Sequence, residues 1–232
     1  MLLIYCLIFI SGTVFSSFAV CHGWRFANSY SFSSRSFCEK CHVTLKNIHL
    51  IPILGFLIQG GRCFFCHSKI SAVSFAIEFL GGCYFLCLFV LTADTANFIF
   101  ISLLSLWSLI LALQDFYSLT VSNFLLWFGG SLFLLEPSSE FRNFWGDLNL
   151  IFFFIITLSI FTYFNFLGLG DVIYLGFLFL ILGFYTTLYI IMIGSSCAVI
   201  YQLVTNRRKI AFIPFLSFGL FLLLLWQKTF TC

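Results

Sequence analysis

The chain has 232 residues, of which 62% are hydrophobic, 21% aromatic and only 8% charged. Soluble domains carry about 25% charged residues, so a soluble globule of this size is excluded and a multi-span membrane protein is expected. The net charge of +3 serves to orient the chain and calls for no nucleic-acid partner.

Eight apolar runs are long enough to approach or cross about 30 Å of hydrocarbon. They cover roughly 2–20, 74–91, 97–114, 121–135, 148–167, 171–187, 188–204 and 211–227. The pattern predicts an all-α polytopic membrane protein of about eight transmembrane helices with one small extramembrane loop. The first run has no lysine or arginine before it and reads as a retained helix rather than a cleaved signal. The sixth and seventh runs are hard to separate, and Thr186-Thr187 is the polar punctuation nearest their expected boundary. The chain divides into a first helix (1–20), a polar loop (21–73) and a helical core (74–232).

Basic residues set the orientation. Arg25, Arg35, Lys40, Lys46, Arg62 and Lys69 lie between the first two runs, and Arg207, Arg208 and Lys209 between the last two. With eight spans these segments share one side, leaving only Arg142 and Lys228 opposite. The positive-inside rule places the basic side in the cytoplasm and both termini outside.

The 21–73 loop holds Cys38-x-x-Cys41 and Cys63-x-x-Cys66. Two such turns offer four thiolates, the usual shell of tetrahedral zinc, and a closed four-thiolate site is structural rather than catalytic. A disulfide framework fits poorly with a loop on the reducing side. His42 and His67 follow cysteines directly and are alternative ligands. Cys6, Cys83, Cys87 and Cys197 fall inside apolar runs, with Cys21 and Cys232 near membrane edges, where a small apolar side chain needs no further role.

Most carboxylates sort into loops: Asp94, Glu136, Glu140 and Asp147 on the outer side, Glu39 in the cysteine loop. Glu78, Asp115 and Asp171 sit at or within apolar runs. An ionisable group there costs about 2.5–3.5 kcal/mol on insertion scales and is a functional candidate by default. Asp115 ends the third run in Leu113-Gln114-Asp115-Phe116. Asp171 begins the sixth in Gly168-Leu169-Gly170-Asp171. Counting spans puts both at the cytoplasmic side. Two carboxylates at one depth can share a proton, activate water and protonate a leaving amine. Gly168 and Gly170 would let an extended peptide approach closely. Capping of its own helix accounts for Asp171 but not for Asp115, which stands at a helix C-terminus. On that contrast Asp171 is the expected base and Asp115 the expected holder of the shared proton. Glu78 is either a third site group or a hydrogen-bonded structural residue.

These motifs, in order, resemble type IV prepilin peptidases over nearly the whole chain. Ser34-Arg35-Ser36-x-Cys38-x-x-Cys41, Ile51-Pro52-Ile53, Gly61-Arg62-Cys63-x-x-Cys66 and Ile70-Ser71 resemble their zinc loop, and Glu78 with Leu80-Gly81 the start of their second span. Gly168-x-Gly170-Asp171 is similar to their glycine–aspartate motif, Asp115 falls where their first aspartate falls, and Ile213-Pro214-Phe215 is also alike. The resemblance implies a bacterial cytoplasmic-membrane endopeptidase cutting after a glycine, ahead of a hydrophobic helix, in prepilins or pseudopilins. The short length resembles the versions that serve competence pseudopilins. Many relatives also methylate the new N-terminus, which would bring in S-adenosylmethionine beside structural zinc. Two positions depart from the family: Ser122-Asn123 stands where Pro-Asp or Pro-Asn is usual, and Ile173 where a lysine is common. The rival readings are a non-enzymatic membrane scaffold displaying its zinc loop and a small transporter relaying protons through the aspartates.

Overall fold

The computed structural model describes residues 2–31, 35–92, 94–134, 148–164, 167–205 and 209–230, without the side chains of 148–151 and 227–230. Ser34, Glu136, Glu140, Arg142, Asp147, Arg207, Arg208 and Cys232 lie outside the described residues, as does the side chain of Lys228. The elements are α1 (Leu2–Ala27), a 3-10 turn (Asn47–Leu50), α2 (Leu54–Ile58), α3 (Ala72–Leu91), α4 (Thr95–Ser118), α5 (Asn123–Phe133), α6 (Leu148–Tyr163), α7 (Leu169–Leu182), α8 (Phe184–Thr205) and α9 (Ile213–Phe230). Each of the eight apolar runs coincides with a helix, and among the described residues only isolated bridges represent β-structure. Helices α1, α3, α4 and α8 are long and apolar enough to cross a membrane, whereas α5, α6, α7 and α9 are shorter apolar helices.

Two compact units divide the chain, Met1–Leu106 and Trp107–Cys232. In the first, α1 and α3 approach closely because small residues face each other, the usual solution where lipid removes the hydrophobic drive for helices to associate. A Cβ on Gly12 would lie 2.8 Å from the Gly81 carbonyl, and one on Gly82 would lie 2.7 Å from the Thr13 methyl. The Tyr84 hydroxyl bonds Ser105 at 2.9 Å and ties α3 to the middle of α4. Helix α1 continues past the expected end of its apolar run to Ala27, keeping Arg25 in its last turn, where a cation complements the helix dipole.

The second unit packs around fully buried Tyr174, Leu175, Leu178, Ile181, Ile190, Ile213, Leu216 and Leu220. Helices α8 and α9 touch at Gly194 and Gly219, where an added Cβ would come within 2.9–3.1 Å of the neighbouring helix. The boundary expected near Thr186-Thr187 is instead at Gly183. Its φ of 85° and ψ of 172° lie in a region that only glycine occupies at low cost. Within the first turn of the new helix the Thr187 hydroxyl donates back to the Gly183 carbonyl at 2.8 Å. Helix α7 is therefore 14 residues long, about 21 Å, and ends well short of a full crossing.

Gly183→Ala forces a Cβ into a region costing about 1–3 kcal/mol and should lower the unfolding midpoint in detergent by several degrees. Gly176→Ala, inside α7 with nothing within 4 Å of the new Cβ, should leave it equal or higher, since alanine is the better helix former. Equal midpoints for the two variants would contradict the break at Gly183.

Candidate active site and metal centre

The four cysteines of the loop converge. Two near-identical turns carry them, each closed by one antiparallel bridge, Phe37 with Thr44 and Arg62 with Lys69. In each turn the first cysteine accepts from the backbone of the residue four on, His42 to Cys38 and His67 to Cys63, both at 2.9 Å. Those histidines sit at φ of 55°. They make the left-handed step that folds each knuckle back, while the four thiols form the metal-competent cluster. All four sulfurs lie within 4.8 Å of one another, with Cys38–Cys66 at 3.8 Å and Cys41–Cys63 at 4.0 Å. Tetrahedral zinc with bonds of about 2.3 Å places its sulfurs roughly 3.8 Å apart, so the cluster fits that ion. Burial pushes the Cys38 thiol up, but hydrogen bonds from the Cys41 and Lys40 backbone and neighbouring thiols outweigh it and bring it to about 6. Hydrogen bonding to Ser68 likewise lowers Cys66. Thiolate, the form that binds metal, is therefore within reach at neutral pH for Cys38 and Cys66, whereas at Cys41 the Val43 backbone hydrogen bond is outweighed by burial and the neighbouring thiols, which push the thiol up to about 11.

Glu78, on α3, accepts a hydrogen bond from the Ile53 backbone at 2.8 Å. Ile53 has φ 63° and ψ −56°, a strained setting for a β-branched residue. Leu54 N–H closes the turn onto the Pro52 carbonyl at 2.6 Å. The carboxylate thus holds a tight turn between the two cysteine knuckles, the structural role left open by the sequence.

Asp115 and Asp171 both belong to the second unit, and their carboxylates are close enough for their charges to interact. Asp171 is the third residue of α7, where its Oδ2 accepts the Gly168 N–H at 3.1 Å. Asp115 lies one turn from the end of α4. Leu119, at φ 55°, stops that helix by donating its N–H to the Asp115 carbonyl at 2.8 Å. Only 7% of Asp115 is exposed. Its Oδ2 accepts the Ile213 N–H at 3.1 Å, at the start of α9, and the Phe212 backbone also bonds it. Asp115 therefore does cap a helix, though not its own, which corrects the contrast drawn from sequence. Both carboxylates meet the positive end of a helix, and helix dipoles do not divide their roles.

Neighbouring polar residues hold this arrangement. Gln114, fully buried, accepts the Ser122 N–H at 2.9 Å, and Ser122 is the N-cap of α5. Two turns before Asp115, Ser108 bonds the Tyr174 hydroxyl and, at 2.8 Å, Ser217. Tyr174 follows Asp171 by three residues and Ser217 follows Ile213 by four, so this buried hydroxyl cluster joins α4, α7 and α9 beneath the carboxylates. Leaving such a group unpaired costs about 1–3 kcal/mol. Gly170 serves close packing: a Cβ there would meet the Val121 side chain at 2.8 Å. Gly168 is exposed, and a Cβ there would crowd the Asp171 carboxylate, 3.3 Å from its Oδ2.

Residues 10–92 match the family model of the bacterial peptidase A24 N-terminal domain. Over 127 residues the chain is 33% identical to a prepilin leader peptidase/N-methyltransferase of Bacillus subtilis (strain 168), covering 53% of this chain and 50% of that protein. The chain thus spans about half the length of the curated relative it matches. The stretch matched by the family model contains the four loop cysteines and Glu78 but neither Asp115 nor Asp171. No solved structure matches the chain.

Purified protein should hold about one zinc per chain, and chelation or Cys41→Ser should lower the unfolding midpoint of the first unit. Protein that is metal-free yet equally stable would contradict the assignment.

Proposed function

We propose that the chain is a multi-pass membrane aspartyl endopeptidase that removes the leader of type IV prepilins or pseudopilins on the cytoplasmic side. One observation carries the reading: two carboxylates whose charges interact stand near helix ends in a predominantly apolar unit. Two such groups can position one water. The ionised carboxylate takes its proton as the oxygen attacks the peptide carbon. The protonated partner gives a proton to the leaving amine, so water and peptide become a carboxylic acid and an amine. Asp115 and Asp171 are the residues we assign to this work. Backbone N–H groups hold each carboxylate in place, which fixes geometry without supplying chemistry.

An apolar cavity of about 410 Å³ supports the substrate class. Phe154, Phe161, Phe184, Leu167 and Phe212 are among its walls, and the last two adjoin Gly168 and Ile213. A segment entering there would be apolar, as the residues after the cut in a prepilin are. The cytoplasmic side follows from the distribution of lysine and arginine. The name of the relative also includes N-methyltransferase. On that likeness the new amine is then methylated, with S-adenosylmethionine as the methyl donor. Membrane lipid and the prepilin are the partners this reading requires, and the four-thiolate zinc shapes the loop without entering the hydrolysis.

The test is cleavage of a synthetic substrate with a short basic leader, a glycine and a hydrophobic segment, using the purified full chain in lipid nanodiscs. Mass spectrometry should find one cut after the glycine, and Asp171→Asn should slow it by roughly a thousandfold, within the range of a lost acid–base group. No cut, or a cut that Asp171→Asn leaves intact, would overturn the reading.

A further inference from the structure

A second cavity, of about 310 Å³, lies within the first unit between the cysteine knuckles and α3. That volume stands at the lower end of small-ligand pockets and is about ten times the share of one water in the liquid. Its apolar surface includes Phe56 and Phe75, whose rings stack at 5.0 Å. His49, Gln59 and Glu78 also line it. Of the charged residues in its wall, Glu39, Lys40 and Lys69 are exposed, and Glu78 alone is half-buried. The charge at depth is therefore a carboxylate.

Among the described residues, two buried side-chain atoms without a hydrogen-bond partner belong to this wall, Gln59 Oε1 and His49 Nδ1. The orientation of Gln59 is fixed, because its Nε2 donates to the Gly55 carbonyl at 2.9 Å, an atom that only accepts. Its oxygen is therefore an acceptor without a donor. His49 Nδ1 accepts likewise when the ring carries its proton on Nε2. Glu78 spends Oε2 on the Ile53 N–H at 2.8 Å, which leaves Oε1 as a third acceptor. Buried acceptors left alone are unfavourable. What completes these three must donate, carry positive charge to match Glu78, and present apolar surface to the rings. A primary ammonium has three N–H groups and no acceptor. A guanidinium would bring five in a rigid plane and leave two over. A phosphate brings acceptors and would meet Glu78 as a like charge. We propose that this cavity binds a primary ammonium on an apolar stem, the nitrogen held by Glu78, Gln59 and His49 and the stem against Phe56 and Phe75. Two parts of a peptide offer that chemistry, a lysine side chain and a chain N-terminus. The site lies within the first unit and stands whether or not Asp115 and Asp171 hydrolyse peptides.

The experiment measures binding of two probes to the full chain in phosphatidylcholine nanodiscs by ligand-observed NMR, with empty nanodiscs as the reference. Acetyl-lysine amide carries only the side-chain ammonium, and phenylalanine amide only the terminal one. Binding of the first assigns the site to a lysine side chain, and binding of the second to a chain N-terminus. For a probe that binds, Glu78→Gln should weaken binding about tenfold or more, the worth of a hydrogen bond to a charged group. The amide oxygen of that variant still accepts the Ile53 N–H, so the turn is kept. Gln59→Met should weaken binding about fivefold and keeps the test decisive if the Glu78 variant folds poorly. The same probes without their ammonium, acetylnorleucine amide and acetylphenylalanine amide, should not bind, and inorganic phosphate should not compete. Binding by neither ammonium, equal binding of the probes that lack it, or unchanged affinity in both variants would overturn the proposal. Displacement by inorganic phosphate would show an anion site and overturn it too.

Discussion

The hydrogen bond from the Ile213 backbone to the Asp115 carboxylate joins the end of α4 to the start of α9. A helix start presents N–H groups with no partner inside the helix, and in an apolar unit water cannot satisfy them cheaply. Pro214 follows at the second position and brings no N–H of its own. One buried carboxylate answers the remaining need, and its charge also interacts with that of Asp171. On the proposed function, stability and chemistry meet in a single side chain. Gln114 does the same for α5 through Ser122, so two adjacent polar residues fix two helix starts.

The hydroxyl cluster of Ser108, Tyr174 and Ser217 explains why the two aspartates hold their relation. It lies one to two turns deeper on the same three helices, and its members satisfy one another where lipid offers no partner. In the first unit the cysteine cluster plays the corresponding part. The loop has too few apolar side chains to bury, and four converging cysteines on two matched knuckles, once they hold a metal, would replace a core. Glu78 adds the one carboxylate anchor, against the strained turn at Ile53.

Much of this was legible in the sequence. Eight apolar runs predict eight apolar helices because a bilayer demands that length and polarity. Two Cys-x-x-Cys turns predict a converged cluster because tetrahedral geometry demands it. What escaped depends on contacts across long stretches of chain. Asp115 and Ile213 are 98 residues apart, and Ser108 and Ser217 are 109 apart. A serine in an apolar run is visible as a letter, but its partner is set only when helices pack. Gly183 escaped for another reason: it reads like Gly176 seven residues earlier, and only the backbone dihedral separates a helix break from a helix interior.

The central claim is that the Asp115 carboxylate performs hydrolysis as well as capping α9, and Asp115→Asn separates the two. The amide oxygen still accepts the Ile213 N–H, while the group no longer exchanges protons. Measured in the same nanodiscs, the variant should unfold close to the parent midpoint and cleave no prepilin-like peptide. Cleavage at the parent rate by a stably folded Asp115→Asn chain would contradict the account and leave Asp115 as a cap alone.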